Sequence, residues 1–188
     1  MAARPAAREA CQGGQTLQFL RCALLLVPGL AFAQGLPGSE PVILRVDDES
    51  IYAHLFKPAA AKRGPSMVLV HGFDGVSEAR EGFWARELAK LGVATLVIES
   101  FSARRVGTSI VNQSAVSTAQ GVRDAYAALA FLVTQPYVDP ARIGVMGMSR
   151  GGSVALRAID RRKLPEGARF AAAVALYPGC VAQYRSPQ

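Results

Sequence analysis

Residues 142–156, RIGVMGMSRGGSVAL, pass from a short apolar run through a Gly-rich turn into a helix-forming stretch. A chain that reverses from strand to helix so abruptly needs small residues two before and two after the apex. Gly147 and Gly151 hold those positions around Ser149. Such a turn lifts the serine hydroxyl clear of the sheet and aims the next helix's first amides at its reaction centre. One stretch therefore constrains both the architecture, a strand feeding a helix in an open sheet, and the chemistry, attack by an activated hydroxyl.

The rest of the chain agrees with that architecture. PVILRVDD and IYAHLFKP alternate apolar and polar residues around DES, which predicts an antiparallel hairpin with one solvated face. KRGPS reads as a linker, and MVLVHG as a strand buried on both faces. SEAREGFWARELAKLG carries helix signals: Ser77 as cap, early acids, a late Lys90 and a closing Gly92. Phe83 and Trp84 fall on the face expected to enter the core. ATLVIES is the next strand, so residues 67–99 predict a βαβ unit with a parallel sheet. Residues 101–114 read as a loop, VSTAQGVRDAYAALAFLVTQ as a long amphipathic helix, and GGSVALRAIDRR as the helix after the serine turn. FAAAVALYPG predicts a further buried strand. The fold class is α/β, a mostly parallel sheet with helices on both faces.

The N-terminus is set apart by RCALLLVPGLAFAQG, a basic Arg21, an apolar run from Cys22 to Ala33, and AFA before Gln34. This pattern predicts a signal peptide over residues 1–33 with cleavage after Ala33, and the run is too short to span a bilayer. The expected product, residues 34–188, is exported to a periplasmic or secreted location with no stable membrane insertion. Cleavage would remove Cys11 and Cys22 and leave Cys180 alone, which excludes an internal disulfide and a thiolate metal site. The net charge of +7 would fall to about +5 as Arg4, Arg8 and Arg21 leave with Glu9. The densest basic cluster, Arg157 to Lys163, suits a solvated helix end, where cations complement the dipole. With no nucleic-acid-binding motif beside it, a nucleic-acid partner is not expected.

Acyl transfer at a serine develops an oxyanion that needs two preorganised donors. One candidate is the amide of Arg150, directly after Ser149. The other is the amide of Phe73, in the HGFDG loop that ends the third strand. Losing one such donor typically adds about 3–4 kcal/mol to the barrier. Three weaker candidates for substrate binding lie at the same end of the sheet. Glu99 ends a strand and either contacts the elbow or substrate, or simply forms a strand-end turn. Arg104 and Arg105 follow in a loop, as carboxylate-binding groups or as solvated arginines.

VLVHGFDG, FWARELAKLGVATLVIESFSARR, VDPARIGVMGMSRGG and AAAVALYPG, with the spacing between them, resemble the dienelactone hydrolase family of α/β-hydrolases. The similarity covers most of residues 65–180. It implies an esterase-type enzyme acting on small esters or lactones without a cofactor or metal. Ser149 matches the family's nucleophile, and Phe73 and Arg150 match its oxyanion-hole positions. The chain departs from the family in one respect: dienelactone hydrolase itself places a cysteine where Ser149 stands, so serine favours a broader esterase.

A nucleophilic serine needs a proton acceptor. The chain has two histidines, His54 and His71, both upstream of Ser149, whereas this fold orders its triad serine, acid, histidine. Beyond Ser149 stand two acids, Asp160 and Glu166, and no histidine. Asp160 is eleven residues on, about 16 Å at the helical rise, and Glu166 belongs to a loop at the other end of the sheet. Neither is expected to be the triad acid. His71 is expected to support the oxyanion loop, and His54 to be an ordinary surface or strand residue. The expectation is therefore an N-terminal portion of a larger enzyme lacking its last strands, with the triad acid and base outside it and little turnover. Rival readings are a prolyl-oligopeptidase-like peptidase, for which no propeller precedes the catalytic region, and a non-catalytic binding protein on the same fold.

Overall fold

The computed structural model describes residues 35–59, 63–160, 167 and 169–179. Six strands, β1 (Glu40–Val46), β2 (Glu49–Phe56), β3 (Gly64–Val70), β4 (Ala94–Glu99), β5 (Val138–Met148) and β6 (Ala172–Leu176), form one sheet in the order β1-β2-β4-β3-β5-β6. β1 and β2 are the antiparallel hairpin, and β2 joins β4 antiparallel. β4, β3, β5 and β6 run parallel. Among the described residues, three α-helices cover the sheet: α1 (Phe83–Lys90), α2 (Thr118–Val133) and α3 (Arg150–Ala158).

Side-chain alternation along the strands assigns the helices to faces. Val68 and Val70 of β3, Leu96 and Ile98 of β4, and Val145 of β5 pack with Ala125, Leu129 and Leu132 of α2 and Val154 and Ala155 of α3. Their neighbours Leu69, Val97 and Met146 point the other way, onto Ala85 with Leu88 and Ala89 of α1. Residues 68–70 and 96–98 have no solvent exposure, so these central strands read as unbroken apolar runs. Burying one such side chain is worth about 1.5–3 kcal/mol.

α2 starts on a capping box. The Ser117 hydroxyl accepts the Gln120 amide at 3.1 Å, and the Ser117 amide donates to the Gln120 side chain at 2.8 Å. At α1 the expectation needs correction. A π-helical turn, Glu78–Gly82, precedes the helix, and the Ser77 hydroxyl caps nothing. The Ser77 amide donates instead to the buried carboxylate of Glu81 at 2.8 Å. The inward stripe then runs through Glu81, Gly82, Ala85 and Leu88, so Phe83 and Trp84 fall off it. They are 46% and 38% exposed, stacked edge to face, not core.

Two further boundaries differ. Gly64, placed in a linker by sequence, begins β3 and pairs with Val138. β6 is half-exposed rather than buried, with Val174 at 41%; among the described residues it pairs with β5 alone and stands last in the sheet order. No helix among the described residues is long and apolar enough to cross a membrane, and no three His, Cys, Asp or Glu gather as a metal cluster there. Residues 1–33, Arg161 to Lys163, Glu166 and Cys180 lie outside the described residues.

Candidate active site

β3 leads through α1 to β4 on one side, and β5 leads into α3 on the opposite face. The chain therefore winds in opposite senses from β3 and β5, and a crevice opens at their carboxyl ends. Val70 pairs with Gly147, which sets the HGFDG loop and the serine turn at the same height. A Cβ placed on Gly72 would lie 3.7 Å from the Ser149 Cβ. Gly72, Phe73, Met148 and Ser149 line one cavity of about 330 Å³, with Asp74, Arg80, Ile110, Gln113 and Tyr177 around them.

Ser149 sits at the apex with φ 53° and ψ −118°, a backbone conformation that a side chain rarely adopts. The surroundings enforce it. A Cβ on Gly147 would lie 2.8 Å from the Gly152 nitrogen and overlap the Gly151 carbonyl. One on Gly151 would overlap the Val70 carbonyl and come within 2.8 Å of the His71 oxygen. The motif's two glycines are thus the points where α3 touches its own strand and the neighbouring one. The Ser149 amide donates to the Leu176 carbonyl at 3.0 Å, fixing the turn against β6 as well.

The HGFDG loop is held carbonyl by carbonyl. Nδ1 of His71 lies 2.7 Å from the Gly72 oxygen, and Nε2 accepts the Ser100 amide at 3.1 Å. An Nε2 that accepts leaves Nδ1 as the donor, so the tautomer is set by Ser100. In a trans peptide the N–H leaves the plane's opposite edge, so binding the Gly72 oxygen also orients the Phe73 N–H. The Phe73 oxygen accepts the Ser109 amide at 2.8 Å and the Thr108 hydroxyl at 3.1 Å. The Gly75 oxygen accepts from Arg80 at 2.9 Å. His71 is wholly buried, and burial, reinforced by the Arg150 cation, pushes its pKa down to about 4. It is neutral at pH 7, with both ring nitrogens committed.

The weaker candidates separate here. The Glu99 carboxylate accepts the amides of Phe101 at 3.1 Å and Ser102 at 2.9 Å, and the Ser102 hydroxyl, so it closes a strand-end turn. Arg104 is not a solvated arginine: its guanidinium donates twice to Asp124, at 2.8 and 2.9 Å, and also reaches Glu49 and the Ser100 carbonyl. The large hydrogen-bonding gain from Asp124 raises its already high pKa further. Arg105 is exposed at φ 57°. With Glu99 and His54 it lines a second cavity of about 670 Å³, which has Asp74 in common with the Ser149 cavity. His54 is a buried residue of β2, 6% exposed, whose pKa burial lowers. Asp160 follows the far end of α3, away from Ser149.

Sequence reasoning missed three supporting groups. Arg80 forms a two-pronged ion pair with Asp74, at 2.7 and 2.9 Å, and holds the Asp74 carboxyl below its usual range. Ser109 and Thr108 anchor Phe73 from a stretch that reads only as loop. Asp124, wholly buried on α2, pairs with Arg104. An aspartate on the apolar face of a predicted helix was the available signal, since a buried carboxylate requires a partner.

A mostly parallel sheet with helices on both faces, and a strained serine between β5 and α3 that shares a cavity with the loop after β3, give the α/β-hydrolase fold. The sequence matches the dienelactone hydrolase family over residues 51–188, and the chain belongs to that family. It is 32% identical over 127 residues to the thiohydrolase aneE of Aspergillus aculeatus, a match covering 66% of this chain and 38% of that protein. Esterase 2 of Thermogutta terrifontis, phosphoramylated by tabun, shares the fold with a TM-score of 0.61 at 24% identity, over 79% of this chain and 60% of that one. The α/β hydrolase GrgF from Penicillium sp. sh18 does so with a TM-score of 0.60 at 21% identity, over 74% and 46%. The chain thus spans well under half the length of the curated relative it matches.

Proposed function

We propose that this chain carries the nucleophile and oxyanion-binding half of a serine hydrolase that cleaves small esters or lactones. The observation that carries this reading is the strained Ser149 facing the Gly72–Phe73 loop across a shared cavity. In the reaction, the Ser149 oxygen attacks the carbonyl carbon as its proton passes to a base. The oxyanion is received by the Phe73 and Arg150 amides, the base passes its proton to the ester oxygen as that bond breaks, and water then hydrolyses the acyl-enzyme to the acid. Phe73, Ile110, Met148 and Tyr177 give the acyl group an apolar side, and Gln113 with the paired Asp74 and Arg80 complete the lining, which suits a small ester.

Neither histidine of this chain fits the base. His71 has both nitrogens engaged, and His54 faces the larger cavity. We therefore place the triad acid and base outside residues 1–188. The N-terminal pattern further supports export through a signal peptide ending at Ala33; N-terminal sequencing of secreted protein tests it, and a retained Met1 would refute it.

Chemical rescue tests the function. Added imidazole, a base with pKa near neutrality, should restore hydrolysis of p-nitrophenyl acetate above the Ser149→Ala background. A panel including thioesters and peptide amides separates the readings, since the 32% identical relative is named a thiohydrolase. Preference for amides would favour a peptidase. Equal rates for the chain and Ser149→Ala on every substrate would support a non-catalytic role.

A further inference from the structure

The two candidate oxyanion donors belong to different elements, the loop after β3 and the first residue of α3. A continuous line of buried side chains joins them. The Arg150 guanidinium lies over the Phe101 ring, 5.3 Å from its centroid, and the edge of that ring pair meets His71, with centroids 4.4 Å apart at 78°. His71 in turn binds the Gly72 oxygen. Arg150, Phe101 and His71 are 3%, 1% and 0% exposed.

We propose that the Arg150 side chain is a positioning residue for both donors, setting the amide it carries and, through Phe101 and His71, the Phe73 amide opposite. This rests on the reading of Ser149 as nucleophile. A guanidinium is expensive to bury, and among the described residues no carboxylate binds this one directly. It donates to the Val116 oxygen through Nε at 3.2 Å and Nη2 at 3.0 Å, and to the Ser117 oxygen at 3.1 Å. Its Nη1 is buried without a partner. Burial draws its pKa down to about 10, partly offset by the Asp124 charge. The fork on two carbonyls fixes the plane of the guanidinium against the loop that leads into α2. The Phe101 ring packs against that plane, and Phe101 follows Ser100, whose amide holds the other nitrogen of His71. The imidazole is therefore braced by two adjacent residues, one through its edge contact and one through its Nε2.

The chain is compared with Arg150→Met, which keeps the amide and loses the fork, and with Arg150→Lys, whose point charge does not replace a planar donor. Phe101→Leu interrupts the line while leaving Arg150 intact, and decides the question if an Arg150 variant does not fold. The readouts are the His71 Nδ1–H resonance and the rate at which a fluorophosphonate labels Ser149 with imidazole added. We expect the substituted chains to melt cooperatively, lose the protected Nδ1–H signal and label about 10- to 100-fold more slowly, the scale of a misplaced catalytic group. A folded Arg150→Met or Phe101→Leu chain that keeps both the resonance and the wild-type rate overturns the proposal. Absence of labelling in the unsubstituted chain, with the resonance present, overturns the reading of Ser149 and the positioning role with it.

Discussion

Arg104 and Asp124 meet through two nearly parallel hydrogen bonds of 2.8 and 2.9 Å, with the carboxylate wholly buried. The pair ties the loop after β4 to the middle of α2, and that same loop carries Phe101, Thr108 and Ser109 to the site. Removing one partner of a buried pair strands the other charge, here compensated in part by Glu49, which also pairs with Arg104. Asp124→Asn should therefore cost about 3 kcal/mol in urea unfolding, the low end for a buried pair. A loss below about 1 kcal/mol, the range of surface pairs, would contradict the structural role.

His71 makes stability depend on pH. Its folded pKa, about 4, lies below the ordinary histidine value, so between pH 6.5 and 4 the unfolded chain binds the extra proton. The contribution is full above about pH 6.5 and is lost as pH falls towards 4, amounting to about 3 kcal/mol. Urea unfolding of the chain and of His71→Gln across that window isolates it from the carboxylates. The unsubstituted chain should show the steeper fall, by close to one proton; parallel curves would contradict a neutral, buried imidazole.

The positive φ of Ser149 carries a conformational cost. Ser149→Gly relieves it, and Ser149→Ala does not. Strain of about 1–3 kcal/mol, less the roughly 0.5–1 kcal/mol that glycine's flexibility costs, predicts Ser149→Gly to be more stable than Ser149→Ala by about 1 kcal/mol. Thermal unfolding of the two compares them directly, and equal midpoints would mean a relaxed turn.

Much of this fold was legible because its central strands are short apolar runs separated by one long helical pattern and one glycine-forced turn. The hairpin, the βαβ unit and the parallel sheet follow from periodicity alone. Periodicity failed where local chemistry intervened. The π-helical turn at Glu78–Gly82 shifts the inward face, so Phe83 and Trp84 lie outside the core despite their size. The exposure of β6 depends on what stands beside it, which no residue within the strand encodes. At the site, Gly147 and Gly151 announce their roles through spacing. Arg104 does not, because the carboxylate that captures it is twenty residues away. The place of His71 before the loop predicts that it supports the loop, and its two ring nitrogens trace to Gly72 and Ser100.

The central claim is that Ser149 is an activatable nucleophile in a scaffold whose proton acceptor comes from elsewhere. Peptide-resolved mass spectrometry of the chain after fluorophosphonate treatment, with and without imidazole, tests it most directly. The account predicts one adduct on Ser149, slow alone and accelerated by imidazole, and none at that peptide in Ser149→Ala. Rapid labelling without imidazole would place the base within this chain, and an adduct on any other residue would remove Ser149 from the chemistry.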